Sequence, residues 1–216
     1  MTRPLCFLVG LGALAVAWLG SFEALLPGPF SAHMAMHMTV VAVAAPLLSL
    51  GVAGGVYDPA ARAPALFAPV PASIAELLLV WGWHTPALHH AARGSTPAFL
   101  LEQGSFLLSG LWLWLSALGG TARAERSAAG VLALLLTCMH MTLLGALVAL
   151  PPRPLYEHAA HGAHASTFSP LADQHLGGAI MIVLGGATYL AGGLWLAAGL
   201  LRRPAPTRAQ RKEPGA

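Results

Sequence analysis

Residues 127–150 read SAAGVLALLLTCMHMTLLGALVAL, with no Asp, Glu, Lys or Arg anywhere in the run. A helix needs about 20 such residues to cross the roughly 30 Å hydrocarbon core of a bilayer. Five comparable stretches lie outward of it, at 5–22, 32–53, 70–90, 98–119 and 175–200. Their separators carry loop chemistry: Pro27-Gly28-Pro29, Tyr57-Asp58-Pro59, Arg93-Gly94-Ser95, Gly119-Gly120 and the long 151–174 segment. Closed barrels are the other spanning architecture, but the alternating ten-residue strands they require are absent. The sequence therefore predicts an all-α polytopic membrane bundle of about six transmembrane helices over 1–201. A basic, disordered tail follows over 202–216.

Composition agrees. Charged residues make up only 9% of the chain, against about 25% in soluble domains that must wet their surface. Mean hydropathy is +0.69. The net charge of +3 does not point to nucleic acid, because the cations gather in the tail at Arg202, Arg203, Arg208, Arg211 and Lys212. Beside a span, such a tail reports topology and contact with the lipid bilayer. Cys6 and Cys138 both sit in apolar runs and make no CxxC, so they read as small packed thiols. Arg3 and the run after it also fit a signal peptide. No sharp Ala-x-Ala site closes that run, so it is counted as the first span. Paired small residues such as Gly185-Gly186 and Gly192-Gly193 predict close helix contacts.

Arginine and lysine set the orientation. With a cytoplasmic N-terminus, the inner segments hold Arg3, Arg62, Arg123, Arg126 and the five tail cations, nine in all, and the outer loops hold two, Arg93 and Arg153. That asymmetry predicts both termini in the cytoplasm. The ten histidines then fall on the outer side without exception. His33 and His37 open the second span, while His84, His89 and His90 close the third. His140 lies in the outer half of the fifth, and His175 starts the sixth. His158, His161 and His164 occupy the outer loop.

Soft donors follow the same map. His33-Met34-Ala35-Met36-His37-Met38 interleaves thioethers with imidazoles, and Cys138-Met139-His140-Met141 repeats the theme. His33 and His37 are i and i+4, hence on one helix face, with Met36 beside them. Imidazole suits copper, zinc, iron and nickel, whereas sulfur selects copper(I); the mixture favours copper over zinc or haem. The candidate ligands are His33, His37, His84, His140, His175, Met36 and Met141. Glu102 and Asp173 are expected to orient ligating rings, and His158, His161 and His164 to capture metal. Met34, Met38 and Met139, taken singly, read as packing or lipid-facing residues. Glu76 is expected near the inner end of its span, within reach of cytoplasmic water. No GxSxG, HExxH, P-loop or Rossmann pattern appears, so no catalytic residues are nominated and the chain reads as a non-enzyme.

At these residues the chain resembles the multi-span cytochrome c oxidase assembly factors of the CtaG family, which serve caa-type oxidases. The likeness runs from about residue 30 to 200. It is carried by the His33–His37 pair followed by Ala45-Pro46-Leu47-Leu48-Ser49-Leu50-Gly51, by Trp83-His84-Thr85-Pro86-Ala87-Leu88, by Glu102 through Phe106, and by Asp173-Gln174-His175-Leu176-Gly177-Gly178. Members often carry a second histidine after the acid in the fourth span, where this chain has Gln103, and tend to seven or so spans. The resemblance implies a role in maturing a haem-copper oxidase in the bacterial plasma membrane, with oxidase subunits as partners and copper handled on the periplasmic side. A homo-oligomer is compatible with it. From the residues alone two other readings stay open: a b-type cytochrome or quinone oxidoreductase, in which histidine pairs ligate haem, and a copper or zinc permease. A zinc hydrolase lacks a general base on a suitable spacing.

Overall fold

The computed structural model describes residues 2–120, 124–156 and 168–202. All regular structure among them is helical: α1 (Arg3–Leu19), α2 (Phe22–Leu25), α3 (Pro29–Met38), a π-helical segment (Thr39–Ala44), α4 (Ala45–Val52), α5 (Pro59–Arg62), α6 (Pro69–Trp83), α7 (Pro86–Gly94), α8 (Thr96–Leu118), α9 (Ala124–Ala149) and α10 (Pro170–Leu201). Proline sets most of the starts. It occupies the first or second position of α1, α3, α5, α6, α7, α8 and α10, where its fixed φ suits a helix and its missing N–H would have lacked a partner anyway.

The protein is an all-α membrane helix bundle. Among the described residues, four helices are long and apolar enough to cross a bilayer: Pro29–Val52, which runs through α3, the π segment and α4, and then α8, α9 and α10. Two shorter apolar helices, α1 and α6, pack among them. At 1.5 Å per residue, 17 and 15 residues rise only about 25 and 22 Å. The expected third span, 70–90, is therefore corrected. It stops at Trp83, because Pro86 has no N–H to continue the ladder and holds Thr85 in extended backbone. His89 and His90 sit instead on α7, a short amphipathic helix outside the spans.

Helices alternate in direction. The ends of α1, α6, α8, α9 and α10 that carry Arg3, Arg126 and Arg202 lie together, and the described histidines other than His140 lie toward the opposite end. Close approach comes from missing side chains. A Cβ on Gly178 of α10 would stand 2.7 Å from Ala149 and from the Gly145 carbonyl of α9, and one on Gly177 would enter the Phe30 ring and approach Met34 of α3. At the arginine end, Asp58 ties three segments by accepting from the N–H groups of Gly54 (2.7 Å), Ala60 (2.9 Å) and Gly120 (2.8 Å). Gly54 and Gly120 take φ values of +65° and +78°, which only glycine adopts freely. Burial raises the Asp58 carboxyl, but those N–H groups, with that of Ala61, outweigh it and hold the group below its ordinary 3.8. Of the predicted basic tail, only Arg202 lies within the described residues.

Candidate functional site

The helical rise of α3 brings His33 and His37 onto one face. That face meets the end of α6 at His84, α7 at His89 and the first turns of α8 at Glu102. All five side chains are buried. The His37 ring lies 5.4 Å from His84 and 4.0 Å from Phe106, and the His33 ring 5.5 Å from His89.

Hydrogen bonding assigns the free nitrogens. His84 Nδ1 stands 2.6 Å from the Val80 carbonyl. A carbonyl only accepts, so Nδ1 carries the hydrogen and Nε2 keeps its lone pair. That Nε2 is buried without a partner. On α3, His33 Nε2 faces Glu102 Oε1 at 3.3 Å, and its Nδ1 is unpartnered. His37 has no partner on either nitrogen. Unmade hydrogen bonds on buried polar atoms cost about 1–3 kcal/mol each, so three neighbouring rings with vacant acceptors are an expensive arrangement for packing alone. Glu102 is held in turn by Gln103 Nε2 (3.2 Å) and faces Arg93 at 3.9 Å.

Tyr156, from the loop after α9, closes this pocket. Its hydroxyl donates to the His84 carbonyl (2.8 Å), while its ring stacks on Phe30 at 4.8 Å and leans on His89 at 4.5 Å. Burial pushes the hydroxyl up to about 12, keeping it a donor. Burial, then the neighbouring His33 and Arg93, pulls His89 on α7 down to about 3, so its ring is neutral.

Other candidate residues divide. His140 is buried on α9 with both ring nitrogens unpartnered. It lies one turn beyond Thr137, whose hydroxyl meets Ser73 of the parallel helix α6 at 2.8 Å. Met141 is fully buried and packs with Met38 over Gly185. Met34 and Met38 are core residues and Met139 is 62% exposed, as expected of them singly. Met36 is only partly buried, at the edge of the core. His175 stands apart from the cluster, its Nε2 3.1 Å from the Pro151 carbonyl. Glu102 does contact a nominated imidazole, but Asp173 does not act on His175. Its two oxygens accept from the Phe30 and Ser31 N–H groups (2.8 and 3.0 Å), satisfying the first turn of α3. His158, His161 and His164 lie outside the described residues. Among the described residues, no group of three His, Cys, Asp or Glu side chains is poised around a common ion.

Sequence reasoning missed His89, Arg93 and Tyr156 as parts of this pocket. The periodic pattern of 70–90 hid the break that turns His89 inward, and nothing in the loop sequence distinguishes Tyr156. It also misplaced Glu76. Rather than reaching water, Glu76 is fully buried, and Tyr189 of α10 donates to its Oε1 at 2.7 Å. Tyr189 stacks on Trp114 and lies 3.5 Å from the Val41 carbonyl in the π segment. Glu76 Oε2 has no partner. Glu76 is one turn beyond Ser73 as His140 is one turn beyond Thr137, so the two occupy the same level of the parallel pair α6 and α9. Both are buried polar side chains in the interior of the bundle.

Comparison with curated proteins and with solved structures gives no match. The family model for the cytochrome c oxidase caa3 assembly factor matches residues 1–203, nearly the whole chain and every described helix. The chain belongs to the family of cytochrome c oxidase caa3 assembly factors.

Proposed function

We propose that this assembly factor holds copper as cargo for a haem-copper oxidase, in the pocket between α3, α6, α7 and α8. The observation that carries the reading is the set of buried ring nitrogens without partners: His33 Nδ1, both nitrogens of His37 and His84 Nε2. Two of these rings have their other nitrogen facing an acceptor, Val80 O and Glu102, which is how metal-binding imidazoles are oriented. His33, His37 and His84 are the proposed ligands, with His140 and the buried thioether of Met141 deeper in the bundle. Closing the rings on one ion takes side-chain rotation inside the pocket. The geometry favours these residues over His175 and Met36, which lie outside it.

The arginine and lysine distribution supports a location in the bacterial plasma membrane with this pocket facing outward, the side on which the chain would meet oxidase subunits. The role is delivery rather than catalysis. The test is elemental analysis of purified protein after copper loading under reducing conditions. Wild type is expected to retain copper, and His37→Ala and His84→Ala to lose most of it. Equal copper in all three proteins would overturn the assignment.

A further inference from the structure

At the end of the bundle away from the histidines, α8, α9 and α10 enclose a cavity of about 400 Å³. Its polar wall is Arg126, Ser127 and Arg202, and its apolar wall is Trp195 and Leu196, with Gly199 between them. No carboxylate lines it among the described residues. Among the described residues Arg126 is held by carbonyls: Nε donates to Gly119 O (2.9 Å), and Nη2 to Phe67 O (2.8 Å) and Ser116 O (3.2 Å). Carbonyls orient a guanidinium without neutralising it. Glu125, next to Arg126 in sequence, is exposed and is not part of the wall.

The other wall argues what kind of anion belongs there. Trp195 is 62% exposed at the end of a membrane helix, and Leu194 and Leu201 continue an exposed apolar flank along α10. Aromatic residues at that depth mark the headgroup level of the bilayer. A free anion would gain nothing from this flank, whereas a phospholipid presents a phosphate to the arginines and acyl chains to Trp195 and Leu194. With two cations and no carboxylate in the wall, a zwitterionic headgroup would find no counterpart for its ammonium group. We propose that this cavity is a binding site for one anionic phospholipid, seated by Arg126 and Arg202. The site is independent of the metal pocket at the other end.

The test is native mass spectrometry of the full chain released from detergent containing either phosphatidylglycerol or phosphatidylcholine. Wild type is expected to retain phosphatidylglycerol preferentially. Arg202→Gln should weaken that retention about fivefold, the contribution of one cation at a membrane surface. Gly199→Phe should abolish it, because a Cβ there meets no atom within 4 Å, which leaves room for the ring to enter the cavity that Gly199 lines. Both variants should keep wild-type helical content and copper content, which separates failure here from failure of the metal assignment. Equal retention of the two lipids, unchanged retention in both variants, or displacement of the lipid by excess inorganic phosphate would each overturn the proposal.

Discussion

At the scale of single residues, the polar atoms of the interior decide what the bundle can do. Glu76 and Tyr189 form a hydrogen bond inside a membrane protein, where an unpaired partner finds no water. Tyr189→Phe is expected to destabilise the fold by about 1–3 kcal/mol, since it strips Glu76 of its one donor. Glu76→Gln keeps an acceptor for Tyr189 and should cost less; thermal unfolding in detergent would show the order. Asp58 makes a different prediction at the arginine end. Its carboxyl is held below 3.8 in the fold. The stability it contributes is therefore fully present above its unfolded value and is lost as pH falls through the lower folded one. Wild type should lose stability in that acid window, while Asp58→Asn should be less stable at neutral pH and show a shallower decline. Parallel unfolding curves for the two proteins across that range would refute this.

At the scale of helices, much was legible and the exceptions have definite causes. Long apolar runs gave α8, α9 and α10 nearly to their ends, and prolines mark the starts of α8 and α10. The third span was overdrawn because hydropathy does not register Pro86, so the short α7 and its inward His89 were invisible as a unit. Glu76 was misread because sequence depth says nothing about which face a residue presents. The π segment has no signature in Thr39–Ala44, yet it places the Val41 carbonyl beside Tyr189. Of the metal candidates, the i, i+4 pair was readable from spacing alone. Its meeting with His84 follows from tertiary packing, and so does the diversion of Asp173 from His175 to α3. Packing also yields a test of the α9–α10 contact. Gly178→Leu should impair folding severely, because even a Cβ would meet backbone at 2.7 Å, whereas Gly104→Ala, which faces open space, should be nearly neutral or slightly stabilising. Yield and monodispersity in detergent would report the difference.

At the scale of the whole molecule, the bundle has two chemically distinct ends. One gathers Arg3, Arg62, Arg126 and Arg202 around glycine turns and the cavity; the other gathers imidazoles under Tyr156. Cysteines placed singly at exposed Arg153 and at Arg62 are expected to be labelled from opposite sides by an impermeant maleimide, Arg153→Cys in right-side-out vesicles and Arg62→Cys only after inversion. The reverse pattern would turn the histidine pocket toward the cytoplasm and remove the outward part of the proposed role. The contact between Asp173 and the start of α3 also bears on biosynthesis. The second span, with His33 and His37, leaves the ribosome long before the residue that satisfies its first backbone N–H groups. A chain arrested before α10 would hold all of the proposed ligands yet lack Asp173, the anchor that sets the first turn of α3. On the proposed metal-binding reading, metal competence would be acquired late, with insertion of the final span, and a half-made chain would be kept from capturing an ion that it could not yet deliver.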